Sequence, residues 1–249
     1  MQVCKIPVLY VFKFEPPYFV KAIKRLYCSL MSINGQIENI FILNASSIDL
    51  DFLYDYKIAG LNIINNPINE YFNKAKLINY AVKKYLKDYN YYFASDIDLI
   101  WHLDFLNRCR EEINKNKEPI RIIPYNYTMA YEFYEQDFIK LIPHVQKNFK
   151  NLKPNNWSHG NGLIHIPSFM KIQGYNEEFL GYSAEDQEFN SRIGKINKLI
   201  YTYDIADIHL WHEPMNREYV QANDKIWEES IYKSQQGDII RNNEKWGEL

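Results

Sequence analysis

The 249-residue sequence contains no run of eighteen apolar residues, so no stretch of it reads as a membrane span. Its first twenty residues carry Lys5, Lys13, Glu15 and the pair Pro16-Pro17, which leaves no uninterrupted apolar segment of the secretory type. A cytoplasmic protein is expected, with peripheral attachment to a membrane left open. Cysteine is scarce. Cys4, Cys28 and Cys109 are odd in number and spaced neither as a disulfide framework nor as a zinc cluster, so reduced, mostly buried thiols are expected. Charge is nearly balanced, at -2 overall with a pI near 6.3. That excludes a general field able to hold nucleic acid or an anionic membrane, and any anionic ligand must be bound locally. There is no internal repeat, low-complexity linker or clear domain boundary, and a single domain over 1–249 is expected.

What the chain does have is apolar and aromatic material, at 47% and 16% of residues, ample for a substantial core. "VLYVFKF" (8–14) reads as a strand. After Pro16-Pro17, the residues Phe19, Ala22, Ile23, Leu26, Leu30 and Ile33 share one helical face. "NIFILNA" (39–45) and "LNIIN" (61–65) read as the next strands. A helix follows over 73–86 with Asn73 as its N-cap, and then the strand in "NYYFASDIDLIWHLDF" (90–105). This alternation predicts a doubly wound α/β fold with a parallel sheet. The second half is less regular. Strands are expected at 120–126, 162–167 and 198–205, partial helix over 132–150, a loop turning into a helix over 174–193, and a polar, weakly helical tail from Asn216.

Ligands of such sheets sit beyond the carboxyl ends of the strands, where Asp96 and Asp98 end an apolar run. Residues two apart on an extended chain point to the same side, so the two carboxylates are expected to converge. Desolvated together, they call for a cation or a donor-rich ligand between them, and a hard divalent ion bridging to phosphate oxygens meets that need. Lys74, at a predicted helix N-terminus, is suited to bind an anion, although a solvated lysine is the plainer reading. "GYSAEDQEF" places Ser183 as an N-cap ahead of Glu185 and Asp186, which serves as a capped helix start or as a second acidic site. An aspartate so placed is expected to be ionised at neutral pH. "DIHLWHEP" delivers His209 and His212 close together near the chain's end.

The blocks "EYFNKAKLINYAVKKYLKDYNYYFASDIDLIWHLDF" (70–105) and "HGNGLIHIPSFMKIQGYNEEFLGYSAEDQEFNSRI" (159–193) resemble the catalytic domain of the beta-1,4-galactosyltransferases and the related bacterial family 2, chondroitin-polymerase-like glycosyltransferases. Four separated elements occur in the family's order: the Phe-Asn-basic-Ala-Lys helix start, the D-x-D strand end, the glycine-containing strand, and the Glu-Asp helix start.

The resemblance implies a GT-A fold with a mostly parallel sheet flanked by helices. The donor-binding half would be 1–105, the acceptor and catalytic half 106–215, and 216–249 a partly helical tail. It implies inverting transfer of a hexose or N-acetylhexosamine from a UDP-sugar to a glycan or glycolipid hydroxyl, with Mn2+ as cofactor and Mg2+ as the alternative. Asp186 would be the general base, and Glu185 and Tyr182 acceptor contacts. Phe72, Lys74, Asp96, Ile97, His159 and Gly162 would be donor contacts, with His159 gating the substituent at C2. Asp98 and His212 would hold the metal, with His209 as a lesser candidate. "VFKFEPP" departs from the family's arginine-bearing first loop, and Gln187 stands where the family has an acid. A sugar-phosphate nucleotidyltransferase on a similar sheet remains the alternative, although no glycine-rich phosphate loop follows the first strand. A non-catalytic sugar- or metal-binding module is a further one.

Overall fold

The computed structural model describes residues 4–249 except 38, 70–71, 129–152 (of which only 142 and 146 are described), 182–183, 211 and 213–217. Its first half is four parallel strands and their helices: β1 (Val8–Phe12), α1 (Phe19–Ile33), β2 (Ile40–Asn44), β3 (Leu61–Asn65), α2 (Lys74–Ala81) and β4 (Tyr91–Ala94), which pairs parallel to β1. Alternation along the strands decides what covers each face. Val8, Tyr10, Phe12, Ile40 and Ile42 pack with Ala22, Leu26, Leu30 and Ile33 of α1. Leu9 and Leu43 pack on the opposite face with Ala75, Ile78 and Ala81 of α2. Both faces of β1 and β2 are therefore covered, which is why β1 is apolar throughout and β2 is apolar up to Asn44.

The second half comprises β5 (Leu99–Trp101), α3 (Phe105–Lys115), β6 (Ile120–Thr128), β7 (Lys153–Trp157), β8 (Gly162–His165), α4 (Ile166–Lys171), α5 (Glu185–Ile193), β9 (Lys198–His209) and α6 (Val220–Gln235). Strand order is β3-β2-β1-β4-β8-β6-β9-β5, with β7 paired to β6. The parallel pairing expected from the alternation holds for β3-β2-β1-β4 and returns at β6-β9. The β4-β8, β6-β8, β6-β7 and β5-β9 pairs are antiparallel, so the sheet is mixed. The expected strand over 162–167 stops at His165, because that imidazole caps α4 by accepting from the Ser168 amide and Pro167 favours a helix start. The weakly helical tail contains the sixteen-residue α6. Expected helix over 132–150 falls almost wholly outside the described residues.

The buried Glu188–Arg192 pair ties α5 to α6, since Ser230 donates to Glu188 and Arg192 also donates to the Ile172 and Ile239 carbonyls. Cys4, Cys28 and Cys109 are free thiols, and burial pushes Cys28 up to about 11, far from a reactive thiolate. Among the described residues no helix is long and apolar enough to cross a membrane.

Candidate active site

Strand order reverses at β1, whose neighbours are β2 and β4, and a cleft of about 460 Å3 opens there. Its floor comes from Leu9 and Val11 of β1 and from the turn after β4, with the Trp157–Asn161 segment and the start of α5 as walls.

The strand carrying the D-x-D motif ends at Ala94, so Asp96 and Asp98 lie in a turn rather than on an extended segment. The expected convergence by strand alternation is thereby replaced by a different arrangement, in which Asp96 pairs with Lys74 and Asp98 faces two imidazoles. Trp101 fixes the turn: its indole N–H donates to Ser95 Oγ at 2.8 Å, and its ring packs on Phe93 and Phe105. Asp96 pairs with Lys74 Nζ at 2.9 Å. Its amide donates to Asn161 Oδ1 at 2.6 Å, while its carboxylate accepts from Asn161 Nδ2 at 3.0 Å.

Asp98 faces two histidines, with His212 Nε2 at 3.1 Å and His209 Nε2 at 3.6 Å from its Oδ2. The cause is β5, a strand absent from the sequence reading. Leu99 pairs with His209 and the Leu210 amide donates to the Asp98 carbonyl, which brings residue 98 beside residues 209–212. The ligand atoms of Asp98, His209 and His212 lie within 4.8 Å of one another. Burial alone would raise the Asp98 carboxyl, but the hydrogen bond from His212 and the charges of His209, His212 and Arg25 outweigh it and hold the group at about 2. Its Oδ1 is buried without a protein partner. An ionised carboxylate with an unsatisfied oxygen and two imidazoles makes a donor set that fits a divalent transition ion better than a purely oxygen-seeking one.

Lys74 is mostly buried and lies between Asp96 and Asp186, the latter 3.5 Å away, rather than in solvent. Asn73 places it: the amide side chain caps α2 by accepting from the Lys76 N–H and also donates to the Glu177 carbonyl. Burial works against its charge, but Asp186, Asp96 and Glu185 together raise its pKa well above the ordinary value.

Glu185 and Asp186 open α5, whose N-cap residue is Ala184 with no side-chain cap bond. Ser183 and Tyr182, the expected cap and acceptor platform, lie outside the described residues. Asp186 departs from the expectation of a depressed pKa. Burial raises it, Lys74 opposes, and Asp96 adds to the rise. Desolvation exceeds what a helix N-terminus supplies. Glu185 is raised well above the ordinary carboxyl value by burial and by Asp186. Asp186 Oδ1 and Glu185 Oε2 are both buried and unpartnered.

Phe72, Ile97 and His159 also line the cleft. Burial keeps the His159 imidazole neutral against the pull of Asp186. Its carbonyl accepts from Arg121 Nη2 at 2.8 Å and Asn190 Nδ2 at 2.9 Å, a clamp between β6, α5 and the cleft wall. Gly162 is not part of the lining. With φ of +109° it lets β8 pass against the Ile122 carbonyl and Arg121. Gly160 does line the cleft, because a side chain there would strike the Asp186 carboxylate.

Sequence reasoning also missed Asn161, for which "HGNGL" gives only a turn signal, and Asp207. The latter is fully buried on β9, and its carboxyl accepts from Asn126. Burial pushes it to about 8, against the hydrogen bonds of Ser158 and Asn126. Its alternating position in a polar strand end carries no distinguishing signal.

No family model matches the chain. It is 23% identical over 178 residues to mouse chondroitin sulfate N-acetylgalactosaminyltransferase 2, covering 69% of this chain and 31% of the relative. It is 27% identical over 137 residues to bovine beta-1,4-galactosyltransferase 1, covering 54% of this chain and 28% of that protein. The chain thus spans about a third of the length of the curated relatives it matches. Among solved structures, the catalytic domain of Drosophila beta1,4galactosyltransferase 7 in complex with xylobiose matches with a TM-score of 0.52 and 14% identity, over 98% of this chain and 83% of that one. S. aureus TarS 1-349 in complex with UDP-GlcNAc matches with a TM-score of 0.56 and 15% identity, over 84% of this chain and 59% of that one. The fold is GT-A.

Proposed function

From the premise that this chain is a GT-A protein similar to the beta-1,4-galactosyltransferases and bacterial family 2 glycosyltransferases, we propose that it is a metal-dependent inverting glycosyltransferase. It moves a hexose or N-acetylhexosamine from a UDP-sugar to a glycan hydroxyl. One observation carries the reading: a buried, incompletely bonded carboxylate at Asp186 and the Asp98, His209 and His212 set face the same cleft, with Lys74 beside Asp186. A transferase that displaces a diphosphate needs a base for the incoming hydroxyl and positive charge for the leaving group.

In this reading Asp186 takes the proton from the acceptor hydroxyl as that oxygen attacks C1 of the sugar and UDP departs from the opposite face. A carboxyl raised by burial is a better base than an ordinary one, and general base catalysis of this type contributes roughly a hundredfold to ten-thousandfold. Glu185 contacts an acceptor hydroxyl. Lys74 attracts the diphosphate, and Asn161 holds Asp96 on the donor side. Asp98, His209 and His212 would hold Mn2+, which when bound neutralises charge growing on the diphosphate. Phe72 and Ile97 line the donor side, and His159 stands where it can limit the substituent at C2.

A screen of UDP-sugars for manganese-dependent hydrolysis, run on wild type and Asp98→Ala, tests the proposal. Hydrolysis of at least one UDP-sugar by wild type, lost with EDTA and in the variant, is expected. Hydrolysis indifferent to metal and to Asp98, or none with any UDP-sugar, would overturn it.

A further inference from the structure

Next to the cleft, β6, β7 and β9 carry an aromatic cluster that the donor chemistry does not use. Tyr125 and Tyr203 lie 4.5 Å apart between ring centroids, Trp157 lies 5.1 Å from each of Tyr125, Tyr201 and Tyr203, and Tyr127 lies 5.2 Å from Tyr125. Clusters of this kind are ordinarily buried. Here Tyr201 is 45% and Tyr203 63% exposed, so the rings form part of the surface.

The backbone presents them on purpose-built geometry. Along β9 the pairing with β6 runs in register to Thr202, opposite Pro124, and resumes at Ala206, opposite Tyr125. The residues between, Tyr203 to Ile205, form a bulge, and bulges re-aim side chains beside active sites. This one sets Tyr203 over Tyr125 and Trp157 instead of continuing the ladder.

The cluster is continuous with the cleft. Trp157 and His159 line the cleft themselves, and Tyr201 packs against both, 6.4 Å from His159 between centroids. Asn155 and Asn156, exposed on β7, add amide groups at the same rim. Aromatic faces flanked by amides match a ligand whose rings show C–H faces and whose edges carry hydroxyls.

We propose that Tyr125, Trp157, Tyr201 and Tyr203 form a platform that binds a glycan chain, holding its sugar rings beyond the one that enters the cleft. The inference rests on the glycosyltransferase reading and extends it to the acceptor class: an oligosaccharide rather than a single sugar or a small aglycone.

Chitotetraose, cellotetraose and β-1,4-galactotetraose, each with its monosaccharide, would be titrated into the full chain and followed by saturation-transfer NMR and tryptophan fluorescence, with UDP binding measured on the same preparations. At least one tetrasaccharide should bind more tightly than its monosaccharide. Tyr203→Ala and Tyr201→Ala should each weaken that binding roughly five- to tenfold, the effect of removing one stacked ring. Tyr203→Phe should retain it, and UDP affinity should be equal in all four proteins. Wild type that binds UDP but no tetrasaccharide, or tetrasaccharide binding indifferent to both alanine variants, would overturn the platform. Loss of UDP binding by wild type itself would instead overturn the glycosyltransferase reading beneath it.

Discussion

A single methyl group added at Gly160 probes the proposed base at its tightest point. A Cβ there would lie 2.8 Å from Asp186 Cγ and 3.0 Å from Oδ1, and closer still to Oδ2. Non-bonded carbons prefer about 3.5 Å, so the carboxylate must retreat by about 1 Å. The backbone at Gly160 does not occupy the left-handed region, and the struck atoms end a side chain that can turn. The cost in stability should therefore fall at the low end of the overpacking range, about 1 kcal/mol, or about 2–4 °C in Tm for a chain of this size. The cost in transfer should be far greater, since a 1 Å misplacement of a reacting group can lower the rate about a hundredfold. Gly162→Ala supplies the contrast. Its φ of +109° and the Ile122 carbonyl make alanine strained there, so it should lose stability well before it loses activity per folded molecule. Melting temperature, UDP affinity by calorimetry and kcat for transfer on both variants separate the two cases. Gly160→Ala that folds and binds UDP yet transfers sugar at the wild-type rate would refute the assignment of Asp186 as base.

Further expectations concern the acids and their partners. Asp98→Ala should lose both manganese binding, read by EPR, and UDP-sugar affinity, whereas Asp186→Asn should keep both while transfer falls by roughly two to four orders of magnitude. Lys74 lowers the Asp186 pKa against the effect of burial, so Lys74→Gln should raise that pKa. The acid limb of the kcat–pH profile then moves to higher pH, and an unmoved limb would remove Lys74 from the base's surroundings. Asp207, raised from 3.8 to about 8, adds stability that is fully present below pH 3.8 and is lost as pH rises through 8. Asp207→Asn mimics the protonated form, so between pH 5 and 8 in EDTA the wild type should lose on the order of 4 kcal/mol relative to the variant. Parallel pH dependences of the two melting curves would show that Asp207 is not protonated in the folded chain.

The first half of the fold was legible because both sheet faces are buried. β3 is found at Leu61–Asn65 as read, α1 spans its predicted apolar face, and Asn73 caps α2. β5 was not legible: three residues, Leu99–Trp101, are too few to show a period, and their pairing is fixed by β9 across the sheet. The D-x-D aspartates were found by residue type but misplaced on a strand, because the turn depends on a side-chain bond from Trp101 to Ser95, six residues earlier, that strand alternation does not register. Asp98, His209 and His212 were named together from the sequence, and the structure brings them together. The pKa of Asp186 was misjudged because local reasoning sees the helix start and not the burial of the side chain or the nearby Asp96. Gly160 was passed over in favour of Gly162, since two glycines two residues apart look alike until their φ angles and neighbours are known.

The edge pairing of β5 with β9 also sets an order of assembly. Asp98 and the two histidines are more than 100 residues apart in sequence, and a closure of that span is slow because its entropy must be lost before its contacts form. A nascent chain presents β1 to β4 first, so the parallel half-sheet is available while His209 and His212 are still unsynthesised. The three ligands meet only when β9 has added to the sheet. A cation that prefers the assembled set therefore acts as a latch on the last strand to join, stabilising it by an amount that grows with the logarithm of metal concentration. If the proposed Mn2+ is the cation held there, metal supply during synthesis would govern the yield of closed chains.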